Sequence, residues 1–113
     1  MINKVSDALC LDSAANDGLT TEVSQTLPMA GLNAIQVQVV LYALTATNLT
    51  IQVQVSNDGH NWQNQGLSQT MTAFGRKIFS AEAAIGAAQV RLHYSLTGSG
   101  KAILDAYMVA SDQ

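Results

Sequence analysis

The chain has 113 residues, 48% hydrophobic and only 12% charged, with a net charge of −3, where ~25% charged is usual. That length holds one domain able to bury about two-thirds of its unfolded surface. The five basic residues (Lys4, Arg76, Lys77, Arg91, Lys101) are scattered, no apolar run nears the ~20 residues of a membrane span, and Cys10 is alone, which argues against nucleic-acid binding, membrane insertion and an internal disulfide.

Residues 5–11 read as a first strand, with Cys10 alternating with Ala8 as a small buried side chain. Residues 12–18 form a polar turn region ending in Asn16-Asp17-Gly18. Residues 19–27 give a second strand, placing Thr21, Val23, Gln25 and Leu27 on one face. Pro28 limits it, because proline cannot donate to the ladder. The third and longest strand covers residues 34–44. Its Ile35, Val37, Val39 and Leu41 face one way and Gln36 and Gln38 the other; from Val40 onward both faces are apolar, and a cover on both sides is expected there.

Residues 49–55 alternate cleanly, with Leu49, Ile51, Val53 and Val55 on one face and Thr50, Gln52 and Gln54 on the other. Asn57-Asp58-Gly59 then supplies turn chemistry, since glycine takes the positive φ that closes the bend. Trp62 follows at the start of the return strand and is expected to lie across the core. Residues 62–72 hold one or two short strands broken at Gly66, and residues 75–80 another. Residues 80–86 form a long connection, with room for one helical turn but not for a stable helix. In residues 88–96, Val90, Leu92, Tyr94 and Leu96 point inward while Gln89, Arg91, His93 and Ser95 point outward. The glycine-rich turn 97–100 leads into residues 101–109, with Ala102, Leu104, Ala106 and Met108 inward and Ile103, Asp105, Tyr107 and Val109 outward. About eight strands without an amphipathic helix predict an all-β fold, an antiparallel two-sheet β-sandwich of jelly-roll type. No repeat or linker divides residues 1–113, so a single domain is expected.

The reactive inventory is short. His60, His93 and Cys10 lack zinc-type spacing. Asp12, Asp17 and Asp58 are the carboxylates within reach of a loop calcium ion, but the acid series of an EF-hand is missing. Ser95 stands near His93 with no pocket or third member, and Asp58, Glu82 and Asp105 occupy unrelated contexts. Neither catalytic activity, nor a cofactor, nor a metal is expected. Asn48-Leu49-Thr50 matches a glycosylation acceptor, but the first residues lack the apolar core of a signal peptide. The expectation is a chain made in the cytoplasm without a signal peptide and carried in a virion or other extracellular particle.

Ser56-Asn57-Asp58-Gly59-His60-Asn61-Trp62, followed later by Gln89-Val90-Arg91-Leu92, resembles the S-x-D-G-x-x-W turn and V-R-L strand of discoidin-type (F5/8 type C) jelly rolls. The same elements are similar to small β-sandwich decoration or tail-type proteins of tailed phages, where a strand such as residues 90–98 leads through a glycine turn into a final apolar strand. The discoidin family is typically longer and closed by a disulfide, which one cysteine cannot make. The phage resemblance implies a structural subunit of a capsid or tail.

Low charge points the same way, because interface cores are depleted in charge. The final strand is apolar on both faces, with Asp105 the one interruption. Ile103, Asp105, Tyr107 and Val109 are therefore the candidate interface for a homo-oligomer or for other virion proteins. The competing reading covers that face with residues 1–11. The functional expectation is a non-enzymatic structural subunit. The alternative is a carbohydrate-binding module using Tyr42, Tyr107 or Trp62.

Overall fold

The protein's structure, a computed structural model, describes residues 2–13, 19–29, 31–66, 68–80 and 87–111. Among these residues every regular element is a strand: β1 (Ile2–Ser13), β2 (Leu19–Val23), β3 (Leu27–Pro28), β4 (Ala34–Leu44), β5 (Asn48–Ser56), β6 (Gln63–Asn64), β7 (Gln69–Met71), β8 (Gly75–Ser80), β9 (Gln89–Thr97) and β10 (Gly100–Ser111). They form two antiparallel sheets. One runs β1-β10-β4-β8; the other runs β2-β9-β5-β6, with β3 also on β9 and β7 also on β5. Since β2 and β3 share one neighbour and β6 and β7 share another, each pair is one interrupted strand. The ten segments thus reduce to the eight-strand double Greek key of a jelly roll, in which consecutive strands cross between sheets except at the β5 to β6–β7 hairpin. The turn expected at Asn16-Asp17-Gly18 and the helical turn within residues 80–86 lie outside the described residues, apart from Ser80 itself, which ends β8.

Period-two alternation builds the core. Ile35, Val37, Val39 and Leu41 from β4, Leu49, Ile51 and Val53 from β5, Val90, Leu92, Tyr94 and Leu96 from β9, and Ala102, Leu104, Ala106 and Met108 from β10 are all buried between the sheets. The aromatic at the centre is Tyr94, whose hydroxyl lies 2.8 Å from the Ser6 hydroxyl. Burial pushes the Tyr94 phenol well above its usual range. Trp62 is not in this cluster. It is half-buried at the surface, which corrects the expectation of a core anchor: the short β6 stays at the sheet rim, and the indole is held there by an arginine described below.

Three further expectations change. Cys10 is exposed, because the inward phase of β1 is set by Val5 and Leu11 and Cys10 lies opposite outward-facing Ile103. β1 also carries two register shifts, between Lys4 and Ser6 and between Ser6 and Leu9. Each shift inserts one residue, so the second restores the phase that the first broke, and Ala8 takes a φ of +47° in the bulged stretch. Residues 19–27 do not share one face: Leu27 is buried while Thr21, Val23 and Gln25 are exposed. The phase is lost where Ser24 leaves the strand pattern. Its amide donates to the Leu92 carbonyl at 2.8 Å, and its hydroxyl accepts from the Leu92 amide at 2.8 Å. The far end of β4 is open rather than covered, with Tyr42 56% exposed.

The turn between β9 and β10 requires glycine. Gly100 has a φ of +143°, and a Cβ there would fall 2.7 Å from the Ala46 nitrogen. That approach lets the Lys101 amide donate to Thr45 Oγ1 at 2.8 Å, closing the end of the sandwich.

Candidate functional site

The outward positions of β10 set up the first candidate surface. Register pairs Tyr107 with Gln38, Val109 with Gln36 and Asp105 with Val40 on β4, and Gln38 in turn with Ile78 on β8. Side chains across neighbouring strands on one face lie side by side. Gln36, Gln38, Ile78, Tyr107 and Val109 accordingly line a shallow groove of about 230 Å³. Ile78 is 55% exposed beside it. Ile103 sits further along the strand opposite Cys10, also exposed. β1 does not lie over this face; it hydrogen-bonds edgewise to β10, so residues 2–11 leave the groove uncovered.

Asp105 faces the same side but is only 5% exposed. Its carboxylate accepts the Ala8 amide at 2.7 Å and the Tyr42 hydroxyl at 2.6 Å, with Lys4 Nζ 3.4 Å away. Lys4 also pairs with Asp7 at 2.9 Å and stands 5.6 Å from the Tyr107 ring centroid. The Ala8 amide, the Tyr42 hydroxyl and Lys4 hold the Asp105 carboxyl below the usual carboxylate range. The same contact raises the Tyr42 phenol. Asp105 therefore fastens the bulge of β1 to β10 and β4, while Tyr107, Val109 and Ile103 present the apolar surface.

The second candidate surface lies at the rim of the other sheet. The turn after β5 is built on Asp58, which takes hydrogen bonds from the His60 amide at 2.8 Å, the Asn61 amide at 2.9 Å, Asn61 Nδ2 at 2.7 Å and the Ser56 hydroxyl at 2.9 Å. The Asn61 and His60 amides chiefly, with the two side chains, hold its carboxyl far below the ordinary value. Gly59 completes the bend at a φ of +79°. Trp62 emerges from this turn with the Arg91 guanidinium 4.1 Å from its ring centroid, a cation–π stack. Register places Arg91 opposite Gln54, and Arg91 Nε donates to Gln54 Oε1 at 3.0 Å. Beside the indole, Val55, Ser56, Asn57, Asn61, Trp62, Gln63 and Ala87 line a cleft of about 350 Å³.

Other sequence candidates do not converge. His93 and Ser95 share the outward face of β9 opposite Gln52 and Thr50, and burial together with nearby Arg91 lowers the His93 pKa. His60 is in the Asp58 turn. Asp12 pairs loosely with Lys101 at 3.9 Å. Asp17 and Glu82 lie outside the described residues, and among the described residues no three potential metal ligands gather. Sequence reasoning missed the Trp62–Arg91 stack. The usable signal was Arg91 on an outward position of a strand that must lie beside residues 49–55.

No protein-family model matches the chain, and no curated protein sequence does. Solved structures do. A chain in the structure of infectious bursal disease virus, Gx strain, superposes on 96% of this chain with a TM-score of 0.65 at 11% identity; this chain spans 30% of that one. The SPBc2 prophage-derived protein YomS gives a TM-score of 0.56 at 8% identity, over 98% of this chain and 92% of its own. PirA gives 0.51 at 8% identity, over 96% and 92%. Likeness at these identities is a likeness of fold, and viral and prophage proteins are among those that share it.

Proposed function

We propose that the protein is a non-enzymatic structural subunit that self-associates through the outer face of the β1-β10-β4-β8 sheet, as part of an assembly such as a phage capsid or tail. The observation that carries this reading is the apolar groove along β10, which no described residue covers. A monomer needs only one apolar face on such a sheet, and a patch of this kind marks a protein contact. Tyr107, Val109 and Ile103 make the contact, and Asp105 holds β1 clear of it. The 12% charge and a fold shared with viral and prophage chains support the same role. In this reading the sandwich acts as one domain, in a virion and without nucleic acid or membrane.

Light scattering on the purified chain tests it. The expected result is a defined oligomer that Val109→Asp dissociates while the β-sheet circular dichroism is unchanged. A stable monomer at high protein concentration overturns self-association and leaves attachment to another virion protein as the structural role. The half-buried Trp62 beside a polar cleft favours a second reading, carbohydrate binding at the opposite sheet's rim.

A further inference from the structure

We infer that the cleft beside Trp62 binds an uncharged saccharide, seated against the indole and hydrogen-bonded by the side-chain amides of Asn57, Asn61 and Gln63. This rests on the carbohydrate reading and not on assembly through β10.

The lining sets the ligand chemistry. A sugar hydroxyl both donates and accepts, and so does a carboxamide, whereas a carboxylate only accepts and a guanidinium only donates. The polar groups of the cleft are Ser56, Asn57, Asn61 and Gln63, beside the indole of Trp62. Among the described residues no ionisable side chain lines it. The Asp58 carboxylate nearby is taken up by the turn, and Arg91 is stacked on the indole with its Nε on Gln54. Among the described lining residues an anionic ligand would meet no cation.

The amides keep bonding capacity toward the cleft. Asn57 uses its Oδ1 for the Ala88 amide at 2.9 Å, which leaves Nδ2 as a donor. Asn61 uses Nδ2 for Asp58 at 2.7 Å, which leaves Oδ1 as an acceptor. Gln63 is exposed, and its whole amide is available. A broad apolar ring beside alternating donors and acceptors matches a ligand with one apolar face and hydroxyls at its edge. Because the Asp58 turn and the Arg91 stack fix Asn61 and Trp62 beforehand, little order has to be imposed on binding.

Size and edge geometry favour a saccharide over a peptide. At about 350 Å³ the cleft falls at the low end of the ~300–1,000 Å³ typical of ligand sites. A peptide docking by strand addition needs a run of backbone, and β6 offers only Gln63–Asn64.

Trp62 is the only tryptophan, so its fluorescence reports this site alone. The full chain is titrated with cellotetraose, galactotriose and chitotetraose. At least one should shift the emission saturably, with NMR amide shifts confined to residues 55–64 and 87–88. Calorimetry should show Gln63→Ala weakening that binding about tenfold, the worth of one neutral hydrogen bond. Trp62→Ala should abolish it while the melting temperature stays within a few degrees. Val109→Asp should bind the sugar unchanged, which separates this site from the assembly surface. The inference is overturned if no saccharide moves the emission or those amides, if Trp62→Ala binds equally well, or if a neutral peptide saturates the site and the sugars do not.

Discussion

Replacing Asp105 with alanine removes the acceptor that joins three strands of one sheet. The carboxylate takes the Ala8 amide at 2.7 Å and the Tyr42 hydroxyl at 2.6 Å, and hydrogen bonds to charged groups are each worth ~1.5–3 kcal/mol. The two partners fare differently once it is gone. Tyr42 is mostly exposed and regains water, so its bond is largely replaced. The Ala8 amide sits in a bulge whose φ of +47° is held in place by this contact, and losing the acceptor releases that constraint as well. Asp105→Ala should cost about 3 kcal/mol, read as a lower urea midpoint with an unchanged slope. Asp105→Asn keeps an oxygen for the Ala8 amide and should cost about 1 kcal/mol. The pH dependence fixes the sign. The folded carboxyl lies below its unfolded value of ~3.9, so its contribution is complete above that value and is lost as pH falls through the folded one. The gap between the native chain and Asp105→Ala should therefore narrow on acidification. Equal midpoints at neutral pH, or a gap that does not change with pH, would refute the latch.

Tyr94→Phe should destabilise by about 1–2 kcal/mol in the same urea assay, because it leaves the buried Ser6 hydroxyl without its partner at 2.8 Å. Gly100→Ala should cost at least about 2 kcal/mol, since the new Cβ meets the backbone of Ala46 and Thr45 at a φ of +143°. A melting temperature equal to that of the native chain would show that the β9–β10 turn can relax.

The sequence made the sandwich legible where alternation runs unbroken. β4, β5, β9 and β10 each carry four or more apolar residues at period two, and the residues read as inward are buried, Val55 only in part. It failed where the phase is set by other residues or is lost. Cys10 alternates with Ala8, but the larger Val5 and Leu11 set the inward phase of β1 and turn Cys10 outward. Val23 and Leu27 part company because Ser24 caps Leu92 across the sheet, a partner that lies 68 residues away. The reading of Trp62 as core rests on its size and its place at the start of the return strand, and ignores that a cation opposite can hold an indole at the surface. Asp105 read as an interruption of an apolar face. Its burial depends on Lys4 and Tyr42, which only the fold brings to it.

The broken strands have a consequence for how copies of this chain can meet. Growth of a ribbon from sheet edges needs a long, flat row of backbone donors and acceptors. At one edge β1 is kinked by its two register shifts. At the opposite edge β8 places Lys77 across from buried Val39, turning a charge toward the inner side. In the other sheet, the β2–β3 edge is interrupted and ends in Pro28, and the β6–β7 edge is split into two- and three-residue pieces. With so few charges to keep molecules apart, these interruptions are what bar open-ended zipping of strand to strand. Association of the kind proposed above would then run through faces, and face contacts whose rotation closes end in a finite assembly. In that assembly, closure of such face contacts would give rings or shells rather than ribbons.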